Sequence, residues 1–177
     1  MSSFSNDPGY MGAMQRDDEN IPVTGLMNLY EEGIARLARA VEGITEEQAR
    51  LRPVHGKWST LELVAHLAGA EIFFTDRMER VIALEKPLLV GVDEREYPER
   101  IGYQDLVLSE ELALFSALRR HMVRVLRRQP AQAWQRVAIH TDTGLVSLRQ
   151  LLFQPVRHLE HHLAFLVEKR RALGLSA

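Results

Sequence analysis

The chain has 177 residues and a hydrophobic fraction of 46%, which suffices for one compact domain with a buried core. It contains no cysteine, so disulfides, thiolate metal ligands and cysteine nucleophiles are excluded, and any metal must bind through nitrogen or oxygen. The formal net charge of -2 gives no reason to expect nucleic acid or an anionic membrane as a partner.

The sequence predicts a flexible N-terminal tail over residues 1–20 and a single domain over residues 21–177. The tail, "MSSFSNDPGYMGAMQRDDEN", has neither a basic start nor an apolar run, so it does not resemble a signal peptide. No uncharged apolar stretch approaches the roughly 18 residues that a membrane span requires. We therefore expect a cytoplasmic protein that neither crosses nor binds a membrane.

Apolar periodicity and capping signals predict four long helices. The clearest start signal is Ser59 followed by Glu62, a capping box placed just before a long apolar run. The same pattern recurs at Thr45 with Gln48, which opens a short helix, and at Ser147, which opens the last helix. The long helices are predicted to span residues 24–41, 59–84, 105–128 and 147–173.

Two segments do not fit a helical period. Residues 86–103 contain two prolines, two glycines and many charges, so they are predicted to form a long connection. Residues 134–144 are too short for a helix and are predicted to form an extended arm or loop. Four long helices with one long crossover are typical of an all-α, up-down-type four-helix bundle.

Three of the seven histidines lie close together near the C-terminus. His158 and His162 are four residues apart, so both imidazoles lie on one helix face, at the edge of the apolar stripe, and could reach one metal ion. His161 lies on nearly the opposite side, where we expect it to meet solvent. Taken alone, a His pair at this spacing is more typical of a polar helix edge than of a metal site.

His66 lies two turns into the helix that begins at Ser59, among apolar neighbours. One histidine from this helix and the pair from the last helix would give three nitrogen ligands converging between helices, as bundle cores build metal sites. Three protein ligands leave coordination positions open, which is typical of a catalytic site. The alternative is a hydrogen-bonded histidine in the core, because periodicity does not establish that His66 faces the pair.

The run "WSTLELVAHL" (residues 58–67), together with "HLEHHLAFL" (residues 158–166), resembles the DinB-like family, which includes the YfiT-like group of metal-dependent enzymes. In that family a Trp-Ser-x-x-Glu start leads into a helix with one ligand histidine, and a His-x-x-x-His pair on the last helix completes the set. The resemblance extends from about residue 22 over most of the chain. It implies a DinB-like four-helix bundle that forms a homodimer, with His66, His158 and His162 as metal ligands.

The resemblance also implies a function. Its relatives include S-transferases that use a low-molecular-weight thiol such as bacillithiol, and mycothiol-dependent maleylpyruvate isomerases. We therefore expect a divalent metal ion (Zn, Ni, Fe or Mn), with a small-molecule thiol and an electrophilic substrate as partners. Two alternatives stay open: a metal-dependent hydrolase, and a non-catalytic dimeric helix bundle or small-ligand binder. The family's association with DNA damage, a stress response, concerns induction and does not predict a contact with DNA.

Three further side chains are candidates for the site. Glu62 is the capping partner of Ser59, and it is also a candidate general base or acceptor for an imidazole N–H. His140, in the arm before the last helix, and Arg77, three turns after His66, are candidate substrate-binding residues. Pro155 either kinks the last helix just before His158 or begins a separate final helix.

Overall fold

The computed structural model describes residues 21–176, and the predicted tail over residues 1–20 lies outside them. The chain folds as a helical bundle that carries a small sheet. The helices are α1 (Val23–Val41), α2 (Glu46–Arg50), α3 (Thr60–Ala83), α4 (Leu108–Leu126) and α5 (Leu148–Ala172). The strands are β1 (Leu88–Leu89), β2 (Val137–His140) and β3 (Gly144–Ser147). Short π and 3-10 turns occupy Pro98–Gly102, Tyr103–Asp105 and Ala131–Gln135.

The predicted capping boxes fix where three helices begin. Thr45, Ser59 and Ser147 each accept a hydrogen bond from the backbone N–H three residues later, and the side chain of that later residue accepts from the cap N–H in return. Each pair satisfies two backbone donors that the first helical turn would otherwise leave without partners. The predicted capping residues of α2, α3 and α5 are therefore confirmed, and each helix begins at the residue after its cap.

Helix α4 begins later than predicted, at Leu108 instead of residue 105, because residues Tyr103–Asp105 form a separate 3-10 turn. Its own N-terminus lacks a local capping side chain. The Glu46 carboxylate supplies the cap from α2, accepting hydrogen bonds from the backbone N–H groups of Leu108 at 3.1 Å and Ser109 at 3.2 Å. A negative charge at a helix N-terminus is also favoured by the helix dipole.

The four long helices form a ring in which α1 and α3 each pack against both α4 and α5. The N-terminal halves of α1 and α5 share one apolar cluster with the C-terminal halves of α3 and α4, and the opposite halves share a second cluster. Neighbours α3 and α4 therefore run parallel, as do α1 and α5. The four-helix bundle is confirmed, but a simple up-down order is not. Because parallel neighbours cannot be joined by a short turn, α3 and α4 need the long crossover between them.

The sheet joins that crossover to the segment before α5. Strand β1 pairs in parallel with β2, so that Leu88 lies opposite Ile139, and β2 pairs antiparallel with β3. The predicted arm over residues 134–144 is thus mostly the first strand and turn of a β-hairpin. Its left-handed turn residue is Gly144, with φ of 75°, a conformation that a residue without Cβ adopts at little cost.

Helix α5 is continuous through Pro155, so the proline does not begin a separate helix. This outcome places His158 and His162 on the same helix as the Ser147 cap. Across residues 21–176, no helix combines the length and apolar character that spanning a membrane would require.

Candidate metal centre

The structure brings His66, His158 and His162 together between α3 and α5. The Nε2 atom of His158 lies 3.0 Å from Nε2 of His66 and 3.1 Å from Nε2 of His162. One ligand nitrogen from each residue lies within 4.8 Å of the other two. The ring of His66 therefore faces the pair, which periodicity did not establish, and the role of the three residues as metal ligands stays a prediction.

The local structure explains how the three rings meet. The Ser59 cap starts α3, so His66 falls on the face that packs against α5. On α5 the spacing of four residues stacks His158 and His162 on one face, turned towards α3. The His66 and His162 side chains are buried, and His158 is partly buried.

Burial also determines the charge state of the pair. Desolvation lowers the pKa of His158 well below its usual range, and the neighbouring imidazoles of His162 and His66 lower this pKa further. Burial, followed by the proximity of His66, lowers the pKa of His162 to about 2. Both rings are therefore neutral at pH 7, which is the form in which imidazole binds a metal.

The geometry fits a divalent ion. Metal–nitrogen bonds of about 2.0–2.1 Å in a tetrahedral arrangement place the ligand nitrogens roughly 3.3 Å apart. The separations of His158 Nε2 from Nε2 of His66 and of His162, 3.0 Å and 3.1 Å, lie near that value, and one nitrogen from each of the three residues lies within 4.8 Å of the others. Among the described residues, the buried Nδ1 of His162 has no hydrogen-bond partner. These three residues could hold one ion through Nε2 and leave further coordination positions open.

Aromatic rings surround the three imidazoles. The Trp58 ring centroid lies 5.2 Å from that of His66, and the Phe74 centroid lies 5.6 Å from that of His158. His161 was expected to meet solvent, but it is only partly exposed. Its ring packs against those of His162 and Phe165, with centroid separations of 5.1 Å and 4.8 Å. The centre therefore has a largely apolar wall.

Glu94 is the carboxylate that sequence reasoning missed. It lies in the connection between β1 and α4, and its Oε2 is 2.9 Å from Nδ1 of His66, although out of line for a hydrogen bond. Nδ1 is the nitrogen that carries the proton when Nε2 binds a metal, and carboxylates commonly accept from it. Nothing in the sequence distinguishes Glu94 from the other acidic residues of residues 86–103, so its position depends on the fold of the crossover.

Glu62 takes the capping role. Its Oε2 accepts from the Ser59 N–H at 2.7 Å and from Nε of Arg52 at 3.0 Å, and its Oε1 accepts from Nη2 of Arg52 at 2.5 Å. Burial alone would raise its pKa, but the hydrogen bonds from Arg52 and Ser59 outweigh it and the pKa is lowered. Both oxygens are thus engaged in structural bonds, and a catalytic role for Glu62 stays a prediction.

Arg77 and His140 lie close to each other beside the crossover. Nη2 of Arg77 donates to the Val90 carbonyl at 3.0 Å, and the carboxylates of Glu94 and Asp142 are close enough to oppose the effect of burial on its pKa. Burial lowers the pKa of His140, and the charge of Arg77 lowers it further. Their predicted contact with substrate stays a prediction.

The protein is a helix bundle in which three imidazole nitrogens, a donor set typical of metal sites, come from two neighbouring helices. Residues 29–166 match the DinB superfamily, so the chain belongs to that superfamily, as the sequence resemblance predicted.

Two bacterial relatives are similar over most of their length. The Bacillus subtilis protein named "Putative metal-dependent hydrolase YfiT" is 29% identical over 151 residues, which are 85% of each chain. The Oceanobacillus iheyensis protein named "Putative metal-dependent hydrolase OB0782" is 27% identical over 161 residues, 90% of this chain and 93% of that protein.

Solved structures support the same fold. The structure of YfiT has an unusual four-helix bundle topology. It superposes on this chain with a TM-score of 0.79 at 28% identity, covering 87% of this chain and 89% of YfiT. The mycothiol-dependent maleylpyruvate isomerase superposes with a TM-score of 0.69 at 17% identity, covering 84% of this chain and 62% of that protein. At that identity the isomerase supports the fold alone.

Proposed function

We propose that this protein is a divalent-metal-dependent enzyme that transfers a low-molecular-weight thiol of the bacillithiol type to an electrophilic substrate. The observation that carries the proposal is the convergence of Nε2 atoms from His66, His158 and His162. A donor set of three neutral imidazoles suits Zn, Ni, Fe or Mn. A divalent ion bound there lowers the pKa of a thiol or a water molecule that reaches an open coordination position.

The residues around the three histidines would perform the remaining tasks. Glu94 would accept the Nδ1 proton of His66 and hold that ring with Nε2 turned inwards. Trp58 and Phe74 would exclude water from one side of the centre. Arg77, whose Nη2 already binds the crossover, and His140 would contact an anionic part of the thiol or of the substrate.

Three features support a thiol as the nucleophile. The chain contains no cysteine, so a sulfur nucleophile must come from a cosubstrate. Glu62, which the sequence offers as a candidate base, is committed to the helix cap and to Arg52. The superfamily fold is also shared with an isomerase that depends on mycothiol.

A metal-dependent hydrolase is the second candidate, and Glu94 favours it. Hydrolysis needs a base beside the nucleophilic water, and the Glu94 carboxylate is the acidic group that contacts a ligand histidine. The names of both curated relatives also point to metal-dependent hydrolysis. Substitution of Glu94 by Gln separates the two functions when both are assayed at a metal concentration that saturates the variant, because it would then abolish base-assisted hydrolysis while leaving thiol transfer measurable.

The first test is the metal content of protein purified without chelator, compared with His158→Ala. His161→Ala is the matched control, since it removes an adjacent histidine whose ring does not join the Nε2 cluster. We expect about one ion per chain in the parent and in His161→Ala, and none in His158→Ala. Absence of metal from all three, even after addition of Zn, Ni and Mn, would favour a non-catalytic bundle or small-ligand binder.

The second test measures transfer. The metal-loaded protein is incubated with bacillithiol, mycothiol or cysteine and the alkylating probe monobromobimane, so that a C–S bond forms, bromide leaves and the thiol proton goes to solvent. We expect a rate above that of the spontaneous reaction in the parent and no such acceleration in His158→Ala.

The homodimer and the cytoplasmic location belong to the same proposal, and light scattering of the purified protein tests the dimer.

A further inference from the structure

A buried arginine joins all four long helices. Arg119 of α4 is 1% exposed, and each nitrogen of its guanidinium has a partner. Nε donates to Oε2 of Glu71 on α3 at 3.0 Å, Nη1 to the Tyr30 carbonyl on α1 at 3.0 Å, and Nη2 to the Pro155 carbonyl on α5 at 2.9 Å. Its Cζ atom also lies over the rings of Tyr30 and Phe115, 4.5 Å and 4.4 Å from their centroids.

The carboxylate of Glu71 is held from a second side. The Tyr30 hydroxyl donates to Oε1 of Glu71, while Oε2 accepts from Arg119. Burial, and then the charge of Glu71, raises the pKa of Tyr30 well above its ordinary range, so the hydroxyl keeps its proton. A buried ion pair is tolerated when its remaining donors and acceptors are also bonded, and that condition is met here.

This group of residues lies next to the three histidines along two helices. Glu71 follows His66 by five residues on α3, which is about 7.5 Å of helix rise, and Pro155 precedes His158 by three residues on α5, about 4.5 Å. Arg119 therefore binds both of the helices that carry the candidate ligands.

The contact with Pro155 falls where α5 can bend. Proline has no N–H, so the carbonyl of Leu151 loses its helical donor, and helices commonly kink at such a position. The rotation of α5 beyond this point determines where the imidazoles of His158 and His162 lie. Nη2 of Arg119 holds the Pro155 carbonyl from inside the bundle and so restrains the direction of the segment that follows.

We propose that Arg119 is a positioning residue for the three-histidine centre: through Glu71 and the Pro155 carbonyl it sets the separation of His66 from the His158–His162 pair. The proposal rests on the metal-binding function proposed above. It goes beyond ordinary core packing, because packing alone predicts a loss of stability on substitution, whereas positioning predicts a change in metal affinity and in coordination geometry.

The test is titration of the apo protein with Co²⁺, read by the visible absorption of the bound ion, together with thermal unfolding of the apo protein. Arg119→Lys keeps the charge and one bond but cannot span Glu71 and both carbonyls. Met122→Ala is the control, since Met122 lies on the same helix, is 0% exposed and belongs to the apolar cluster. We expect Arg119→Lys to lose about tenfold or more in Co²⁺ affinity and to shift the absorption bands. Met122→Ala should lose stability but keep both affinity and bands.

If the Arg119→Lys variant kept the Co²⁺ affinity and the absorption bands of the parent, that result would overturn the positioning role, whatever the thermal stability of the variant. If Arg119→Lys does not fold, the double variant Glu71→Gln with Arg119→Met removes both charges together, which often preserves stability. It should show the same loss of Co²⁺ affinity, and unchanged binding would again overturn the proposal. A parent that binds no Co²⁺ would instead refute the metal-dependent function, and the positioning role with it.

Discussion

The Oε2 atom of Glu94 lies 2.9 Å from the Nδ1 atom of His66, on the nitrogen opposite the one that faces His158. A crossover that sequence analysis treated as a mere connection therefore reaches the candidate centre. When Nε2 of a histidine binds a metal, a carboxylate at Nδ1 fixes the tautomer and raises the basicity of the ring. Glu94 thus connects the fold of the crossover to the chemistry of the site.

We expect Glu94→Gln to weaken metal binding by about 10–100-fold while leaving the fold intact, because an amide holds the Nδ1 proton less strongly than a carboxylate. Isothermal titration of the apo protein with Zn²⁺ measures the change. Glu96→Gln is the control, since Glu96 lies in the same connection but pairs with Arg100 at the surface, at 3.3 Å. Equal affinities for the two variants would show that the contact of Glu94 with His66 has no role in binding.

Metal should stabilise the folded protein through the three histidines. At an ion concentration 100 times the Kd, binding to the native state alone adds about 2.7 kcal/mol to the free energy of unfolding. Thermal melts with and without Zn²⁺ should therefore show a rise in Tm for the parent and for His161→Ala. No rise is expected for His162→Ala, and a rise in that variant equal to that of the parent would exclude His162 as a ligand.

Gly33 provides a test of the space around Arg119. A Cβ atom at this position would lie 2.0 Å from Nη1 of Arg119 and 2.7 Å from Cδ2 of Leu159. We expect Gly33→Ala to lower the free energy of unfolding by about 1–3 kcal/mol, as overpacking does, measured by urea denaturation. Among the described residues, a Cβ at Gly25 in the same helix meets only Ile21 Cγ2 at 3.2 Å and Pro22 Cδ at 3.9 Å, so Gly25→Ala should be neutral or stabilising. A neutral Gly33→Ala would show that the arginine can move aside.

The pair of Glu62 with Arg52 should make stability depend on pH. Because the folded-state pKa of Glu62 is lowered from 4.5, the contribution of the pair is fully present above pH 4.5 and is lost as the pH falls through the folded-state value. Arg52→Ala should therefore lower Tm at pH 7 and lower it less below pH 4.5. The cost should be at most about 1 kcal/mol, since the Arg52 side chain is 59% exposed.

Arg127→Ala serves as the control for that experiment, since it removes a pair with Glu31 in which both partners are exposed. A Tm difference between Arg52→Ala and the parent that grows at acid pH would contradict the assigned direction of the Glu62 pKa. The comparison also reports on the start of α3, because Glu62 caps that helix as well as binding Arg52.

Local signals in the sequence predicted the helices and the placement of His158 and His162 on one helix face. The pairs Thr45–Gln48, Ser59–Glu62 and Ser147–Gln150 each place a hydroxyl and an acceptor at the spacing that a helix start requires, so the boundaries follow from chemistry within four residues. The spacing of His158 and His162 likewise depends only on the helical repeat. The inclusion of His66 came from the family resemblance, because a contact over 92 positions has no local signature.

The remaining features depend on contacts between distant segments. The parallel arrangement of α3 and α4 follows from which apolar halves share a cluster, which periodicity does not encode. The contact of Glu94 depends on the path of the crossover. Arg119 did leave a signal that went unused, since it falls on the apolar stripe with Phe115 and Met122, where a charge requires a buried partner.

The group of bonds around Arg119 has a consequence for how uniquely the bundle folds. Apolar stripes repeat every turn, so a helix could slide by one turn, about 5.4 Å, and still bury leucines against leucines. Arg119 would then lose its bonds to Glu71, Tyr30 and Pro155 at once and remain as an uncompensated buried charge. We therefore expect the ion pair to select a single helix register, and a bundle with apolar residues at both positions to populate several registers at similar stability.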